Sequence, residues 1–162
     1  LLVDPLITVL VATYNQATYL PEALQSLKAQ TLSSSAFEIL VINDGSTDET
    51  SEVLKGYAEW IRVIERENRG LAATCQEGLN EARGKFFTRL DSDDMVHTNW
   101  LELLLDALET QPNACLAYSD RYLLEQGCRR RVDADAKNLY TLEGCGTLFC
   151  NLRCLLWDRL LK

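Results

Sequence analysis

Residues 6–12 read LITVLVA and run directly into Thr13-Tyr14-Asn15. A continuous apolar run of this length is the pattern of a strand buried on both faces, which is the environment of a parallel sheet. Three more apolar runs follow at similar intervals: Phe37–Ile42, Ile61–Glu65 and Lys85–Leu90. Between them lie amphipathic segments at helical spacing. Tyr19–Gln30 has Pro21 in its first turn, Ser46–Trp60 opens on the capping-box pattern Ser46-x-x-Glu49, and Leu71–Arg83 is followed by Gly84 as a C-terminal cap. Thr98–Thr110, capped by Thr98 and stopped near Pro112, leads to a fifth strand at Ala114–Tyr118. Strand-helix repeated four times and closed by a strand predicts an α/β fold, a mostly parallel sheet with helices on both faces. Beyond Ser119 the pattern weakens. Tyr122–Val132 reads as a hairpin around Gly127, and Leu148–Leu161 as a helix with an apolar face.

The 162 residues suit one domain of ordinary size, with 47% apolar and 25% charged residues. Residues 1–120 form its ligand-binding half on this reading, and 121–162 begin the opposite half of the same domain. A net charge of −8 and a pI near 4.7 exclude nucleic acid as a default partner. No run is long enough for a transmembrane segment, and no signal-peptide pattern is present, so the expected location is the cytoplasm or the inner membrane face. The six cysteines contain no CxxC pair and His97 is the single histidine, which argues against a zinc site and for reduced thiols.

Ligands of an open α/β sheet bind beyond the carboxyl ends of its strands. Here those ends carry Thr13-Tyr14-Asn15, Asn43-Asp44-Gly45-Ser46-Thr47-Asp48, Glu67-Asn68-Arg69-Gly70 and Asp91-Ser92-Asp93-Asp94. Every strand-to-helix switch is polar, and all four fall on one edge. Three carboxylates in four residues repel; two unit charges about 4 Å apart cost about 4 kcal/mol at an effective dielectric of 20. A cation relieves that cost, and an all-oxygen ligand set selects a hard one, Mg²⁺ or Mn²⁺, completed by water and substrate phosphates. A solvated helix cap is the competing reading of Asp91–Asp94, but Thr98 lies nearer the helix start. Asp44, at a strand end before a glycine, suits a hydrogen bond to a ribose or base, or else a simple Asp-Gly turn. Neither GxGxxG nor GxxxxGK occurs, so a bound diphosphate would rely on the metal.

Val11-Ala12-Thr13-Tyr14-Asn15, NDGSTD at 43–48, Glu67-Asn68-Arg69-Gly70 and LDSDD at 90–94 resemble, in order, the four signatures of the family 2 inverting glycosyltransferases. The resemblance covers residues 6 to about 120. It implies the GT-A (Rossmann-like) fold, with an incomplete C-terminal part. It also implies transfer of a sugar from a nucleotide diphosphate, UDP being the expected one, to a saccharide, lipid-linked or protein acceptor with inversion. The donor set it implies is Thr13, Tyr14, Asn15, Asp44, Asp48, Asn68, Gly70, Asp91, Ser92 and Asp94, with Asp93 and Asp91 on the metal. Ala12 replaces a frequent proline, and Cys75-Gln76 replaces a frequent Arg-Asn pair. The family's general base belongs to a later acidic motif that is not visible here, so the chain is expected to be truncated before it. Asp120 is the best-placed substitute, ahead of Asp133, Asp135 and Glu143. Arg129-Arg130-Arg131 reads as a solvated hairpin face or a contact for an anionic acceptor. Two other classes compete. A nucleotide-sugar-binding module without transfer activity differs from the enzyme by the missing base. A nucleotidyltransferase would want a basic glycine-rich loop after the first strand, and TYNQAT is not one.

Overall fold

The computed structural model describes residues 4–111, 113–119, 121–125, 128–132 and 155–158. Four strands, β1 (Ile7–Thr13), β2 (Phe37–Asp44), β3 (Arg62–Arg66) and β4 (Phe86–Asp91), run parallel in the order β3-β2-β1-β4. Between them lie α1 (Leu20–Lys28), α2 (Thr50–Lys55) and α3 (Leu71–Glu81), and α4 (Trp100–Thr110) follows β4. Beyond α4 come β5 (Leu116–Tyr118), β6 (Arg121–Glu125), β7 (Cys128–Val132) and β8 (Leu155–Asp158).

Alternation along β1 divides the core. Ile7, Val9 and Val11 point to one face, where they pack with Leu20, Leu24 and Leu27 of α1, Leu54 of α2 and Trp100, Leu101 and Leu104 of α4. Leu10 points the other way, with Leu40, Ile42 and Ile64, against Cys75 of α3. Both faces of these central strands are therefore covered, which is why their sequence is apolar at nearly every position.

Four details depart from the sequence expectation. The apolar segment Leu148–Leu161 supplies strand β8 rather than a helix over the residues described. It inserts antiparallel between β4 and β5, so β5 is not β4's direct neighbour. Helix α2 runs from Thr50 to Lys55, with Glu49 at its N-cap making no side-chain cap bond, so it is shorter than Ser46–Trp60 at both ends. Asn99, not Thr98, precedes α4. Gly84 is not a helix cap: a Cβ there would sit 2.5 Å from the Thr8 amide nitrogen, so glycine is needed for close approach to β1. The hairpin is present as the antiparallel pair β6-β7. Pro112, Asp120, Gly127, Asp133, Asp135 and Glu143 lie outside the described residues.

Candidate donor and metal site

The strands end together. Thr13 is opposite Asn43, Asp44 opposite Arg66, and Ala12 opposite Asp91. The sequence boundaries fell one or two residues short here, since Thr13, Asn43, Asp44 and Asp91 are the last residues of strands rather than loop residues. With strands about 4.8 Å apart, Asp44 and Asp91 flank the β1 end from two strands' separation, about 10 Å. The order reverses at β1, with β2 on one side and β4 on the other, so the end of β1 is the topological switch point where such sheets form a ligand crevice.

Three of the four loops at this edge are laced to one another. Asn15 takes a left-handed backbone (φ 53°), and its Oδ1 accepts from Thr47 N at 2.7 Å and Thr47 Oγ1 at 3.3 Å, while Asn15 N donates to Ser46 Oγ at 2.9 Å. Asp48 Oδ2 accepts from Ala17 N at 3.1 Å, and its Oδ1 accepts from Thr50 N and Thr50 Oγ1. The Thr50 hydroxyl, with the backbone bonds, holds the Asp48 carboxyl below the usual carboxylate range. Ser46 Oγ and Asp48 Oδ2 thus fasten the β1 loop, while Asp48 Oδ1 meets the first amide of α2.

Asp44 is 4% exposed. Its Oδ1 accepts from Arg69 N and its Oδ2 from Gly70 N, both at 2.8 Å, and Arg66 Nη1 lies 2.5 Å from Oδ1. The guanidinium continues to Glu77 Oε2 at 2.8 Å and Thr74 Oγ1 at 2.7 Å on α3. Asn68 and Tyr14 are exposed at the edge, whereas Thr13 is buried, its Oγ1 without a hydrogen-bond partner among the described residues.

The fourth loop is a turn closed by Asp94 N donating to Asp91 O at 3.0 Å. It buries Ser92, leaves Asp93 exposed and half-buries Asp91 and Asp94. Arg89, two residues back on the same face of β4, places Nη2 3.1 Å from Asp91 Oδ1 and Nη1 3.4 Å from Cys75 Sγ. That arginine offsets part of the repulsion among the acids, a contribution absent from the sequence reading. Beyond the turn, Val96 N donates to Ser26 Oγ, and Gln30 Nε2 to His97 O, so the segment after Asp94 is tied to α1 and its C-terminal end. Among the described residues no three His, Cys, Asp or Glu side chains form a ready-made metal cage. An exposed Asp93 beside a pre-oriented Asp91 does fit Mg²⁺ or Mn²⁺, which take one or two carboxylates and complete their shell with water and phosphate oxygens. A shallow groove of about 430 Å³ is lined by Arg69 of the loop after β3 and by Ala73, Gln76, Glu77, Asn80 and Glu81 of α3. It holds none of the strand-end acids, and the open edge remains the chemically equipped surface.

The Glycosyl transferase family 2 model matches residues 8–143. Glycosyltransferase GlyA of Streptococcus pneumoniae is 43% identical over 107 residues, covering 64% of this chain and 15% of that protein. The uncharacterized glycosyltransferase RP339 of Rickettsia prowazekii is 33% identical over 124 residues, covering 76% of this chain and 38% of that protein. Staphylococcus aureus TarS 1–349 in complex with UDP-GlcNAc superposes with a TM-score of 0.63 at 26% identity, over 69% of this chain and 33% of that one. The mannosyltransferase PcManGT of Pyrobaculum calidifontis, in complex with GDP-Man and Mn²⁺, gives 0.66 at 26% identity, over 74% and 36%. The chain thus spans well under half the length of these relatives, and it shares with the two solved structures a GT-A, Rossmann-like fold. With the family pattern covering most of its length and every strand-end signature on one edge of that fold, the chain belongs to glycosyl transferase family 2.

Proposed function

We propose that this chain carries the nucleotide-sugar site of a metal-dependent, inverting glycosyltransferase that moves a sugar to an acceptor hydroxyl in polysaccharide, glycolipid or glycan synthesis. The observation that carries this reading is the alignment of Asp44, Thr13 and Asp91 on adjacent strand ends about the switch point. The nucleoside lies across the β1 and β2 ends, bordered by Thr13 and Tyr14, with Asn15 and Asp48 holding the loops that shape its pocket. Asp44, Asn68 and Gly70 form the base and ribose corner. Asp91, Ser92 and Asp94 face the ribose and sugar, and Asp93 with Asp91 would hold Mg²⁺ or Mn²⁺. When bound, that cation supplies positive charge against the negative charge that grows on the leaving diphosphate. The protein's own part is to hold the donor so that its anomeric carbon faces the acceptor side. A UDP-sugar is the proposed donor, on the likeness to TarS with UDP-GlcNAc; the GDP-Man complex of PcManGT makes guanosine the competing outcome.

Calorimetric titration with UDP-, GDP- and dTDP-sugars, in Mn²⁺ and in EDTA, tests the reading. Binding that requires the metal and prefers one nucleotide is expected. Equal affinity in both conditions removes the metal assignment, and no binding by any nucleotide removes the reading itself.

A further inference from the structure

We propose that Arg66 is a positioning residue for nucleoside recognition, acting on the two peptide groups that flank Gly70. This rests on the nucleotide-sugar reading above and deepens it. Arg66 closes β3 with its side chain only 10% exposed. One nitrogen, Nη1, holds Asp44, whose Oδ2 accepts the Gly70 amide at 2.8 Å. Another, Nη2, donates to Thr74 Oγ1 at 2.7 Å, and that hydroxyl donates onward to the Gly70 carbonyl at 3.0 Å. The third, Nε, lies 2.8 Å from Glu77 Oε2 on the next turn of α3, an ion pair whose two atoms are not aligned for a hydrogen bond. Gly70 itself has a φ of 84° and precedes α3. Its N–H, in the 69–70 peptide, and its C=O, in the 70–71 peptide, are therefore each one group removed from the same guanidinium, which holds the two peptide planes about the Gly70 Cα. The loop 67–70 bearing Asn68 is then set by Arg66, with both Asp44 oxygens already engaged inward.

The planar guanidinium sets Nη1 beside Asp44 and Nη2 on Thr74 in fixed directions; an ammonium carries the same charge without that geometry. Arg66→Lys should therefore keep the fold and lose the alignment. In the full chain, Arg66→Lys is expected to melt within a few degrees of the parent while binding UMP at least tenfold more weakly. Mn²⁺ affinity, read by electron paramagnetic resonance without nucleotide, should not change. Hydrogen exchange of the Arg69 and Gly70 amides should accelerate in the ligand-free variant. Thr74→Val should weaken UMP several-fold and Thr74→Ser should restore it, an arm that stands even if Arg66→Lys fails to fold. If the parent binds UMP and both Arg66→Lys and Thr74→Val bind it equally well, the positioning role is overturned and the nucleotide reading survives. If exchange rises uniformly and UMP affinity falls only with stability, Arg66 is a structural residue and the proposal is also overturned. Failure of the parent to bind any nucleotide instead overturns the reading beneath it.

Discussion

Asp44 and Gly70, twenty-six residues apart, meet through a 2.8 Å hydrogen bond from the Gly70 amide to Asp44 Oδ2. It joins the end of β2 to the start of α3 across the β3 connection, in a place shielded from water. Charge-assisted bonds of this kind are stronger than neutral ones, and their loss leaves a buried carboxylate unsatisfied. The two loops also touch at Gly45, which sits beside Asp44 with a φ of 73°.

Gly45→Ala should expose how tightly those loops are fitted. An added Cβ would stand 2.6 Å from Asn68 N and 3.2 Å from Arg66 O, all backbone that cannot turn aside. The left-handed conformation costs an alanine about 1–2 kcal/mol before any clash is counted, and overpacking adds a similar amount. We expect a loss of about 2 kcal/mol or more in urea unfolding, with weaker nucleotide binding. A variant as stable as the parent would mean that the two loops stand further apart in solution.

Asp93→Ala should separate metal from fold. Asp93 is exposed in the turn closed by Asp91 and Asp94, so its removal opens no core cavity and relieves charge repulsion. Urea stability should stay within about 0.5 kcal/mol of the parent. The Mn²⁺-dependent part of nucleotide-sugar affinity should vanish, leaving the affinity measured in EDTA. Retention of the full Mn²⁺ effect would move the cation to other ligands.

At the opposite end of the sheet, Glu38 should tie stability to acid pH. Burial, the largest influence, raises its pKa. The Thr8 hydroxyl, the Arg83 amide and the Arg62 guanidinium together outweigh it and bring the pKa below the ordinary 4.5. A carboxylate depressed by folding contributes stability that is fully present above its unfolded pKa. That contribution disappears as pH falls through the lower folded value. Comparing the parent with Glu38→Gln by urea unfolding, the parent's advantage should be constant above about pH 5.5 and shrink below 4.5. An advantage that grows with acid would reverse the assignment.

The parallel core could be read from sequence because a strand buried on both faces leaves a local signature, as LITVLVA does. The strand-end acids could be read for a similar reason, each lying directly after such a run. What could not be read was tertiary. Leu155–Asp158 is four residues long, and an apolar segment of that size fits a helix or a strand equally well. Its identity as β8 is decided by the gap between β4 and β5. Ser46 through Glu49 satisfies the capping-box spacing, yet Ser46 Oγ is taken by the Asn15 amide from another strand's loop. Arg66 carried no motif at all; its importance comes from the register that sets it opposite Asp44.

Asn15 offers the sharpest separation of backbone shape from bonding. It is the one non-glycine residue with positive φ among those described, and asparagine tolerates that region better than most side chains do. Its Oδ1 also receives both the amide and the hydroxyl of Thr47. Asn15→Gly keeps the backbone shape and loses the two acceptor bonds, which lie near solvent and should cost about 0.5–1.5 kcal/mol. Asn15→Ala loses the same bonds and adds the left-handed penalty of about 1–2 kcal/mol. Urea stability should therefore fall in the order Asn, Gly, Ala. Nucleotide affinity should follow the same order, because this side chain makes two of the bonds that hold the β1 loop bearing Tyr14 to the β2 loop. The backbone bond from Asn15 N to Ser46 Oγ can survive in both variants, so neither loop should detach completely. An alanine variant at least as stable as the glycine one would show that position 15 does not hold a positive φ in solution. Stability falling in this order with nucleotide affinity unchanged would show that the Asn15–Thr47 clasp serves the fold alone, and that the donor pocket is shaped elsewhere.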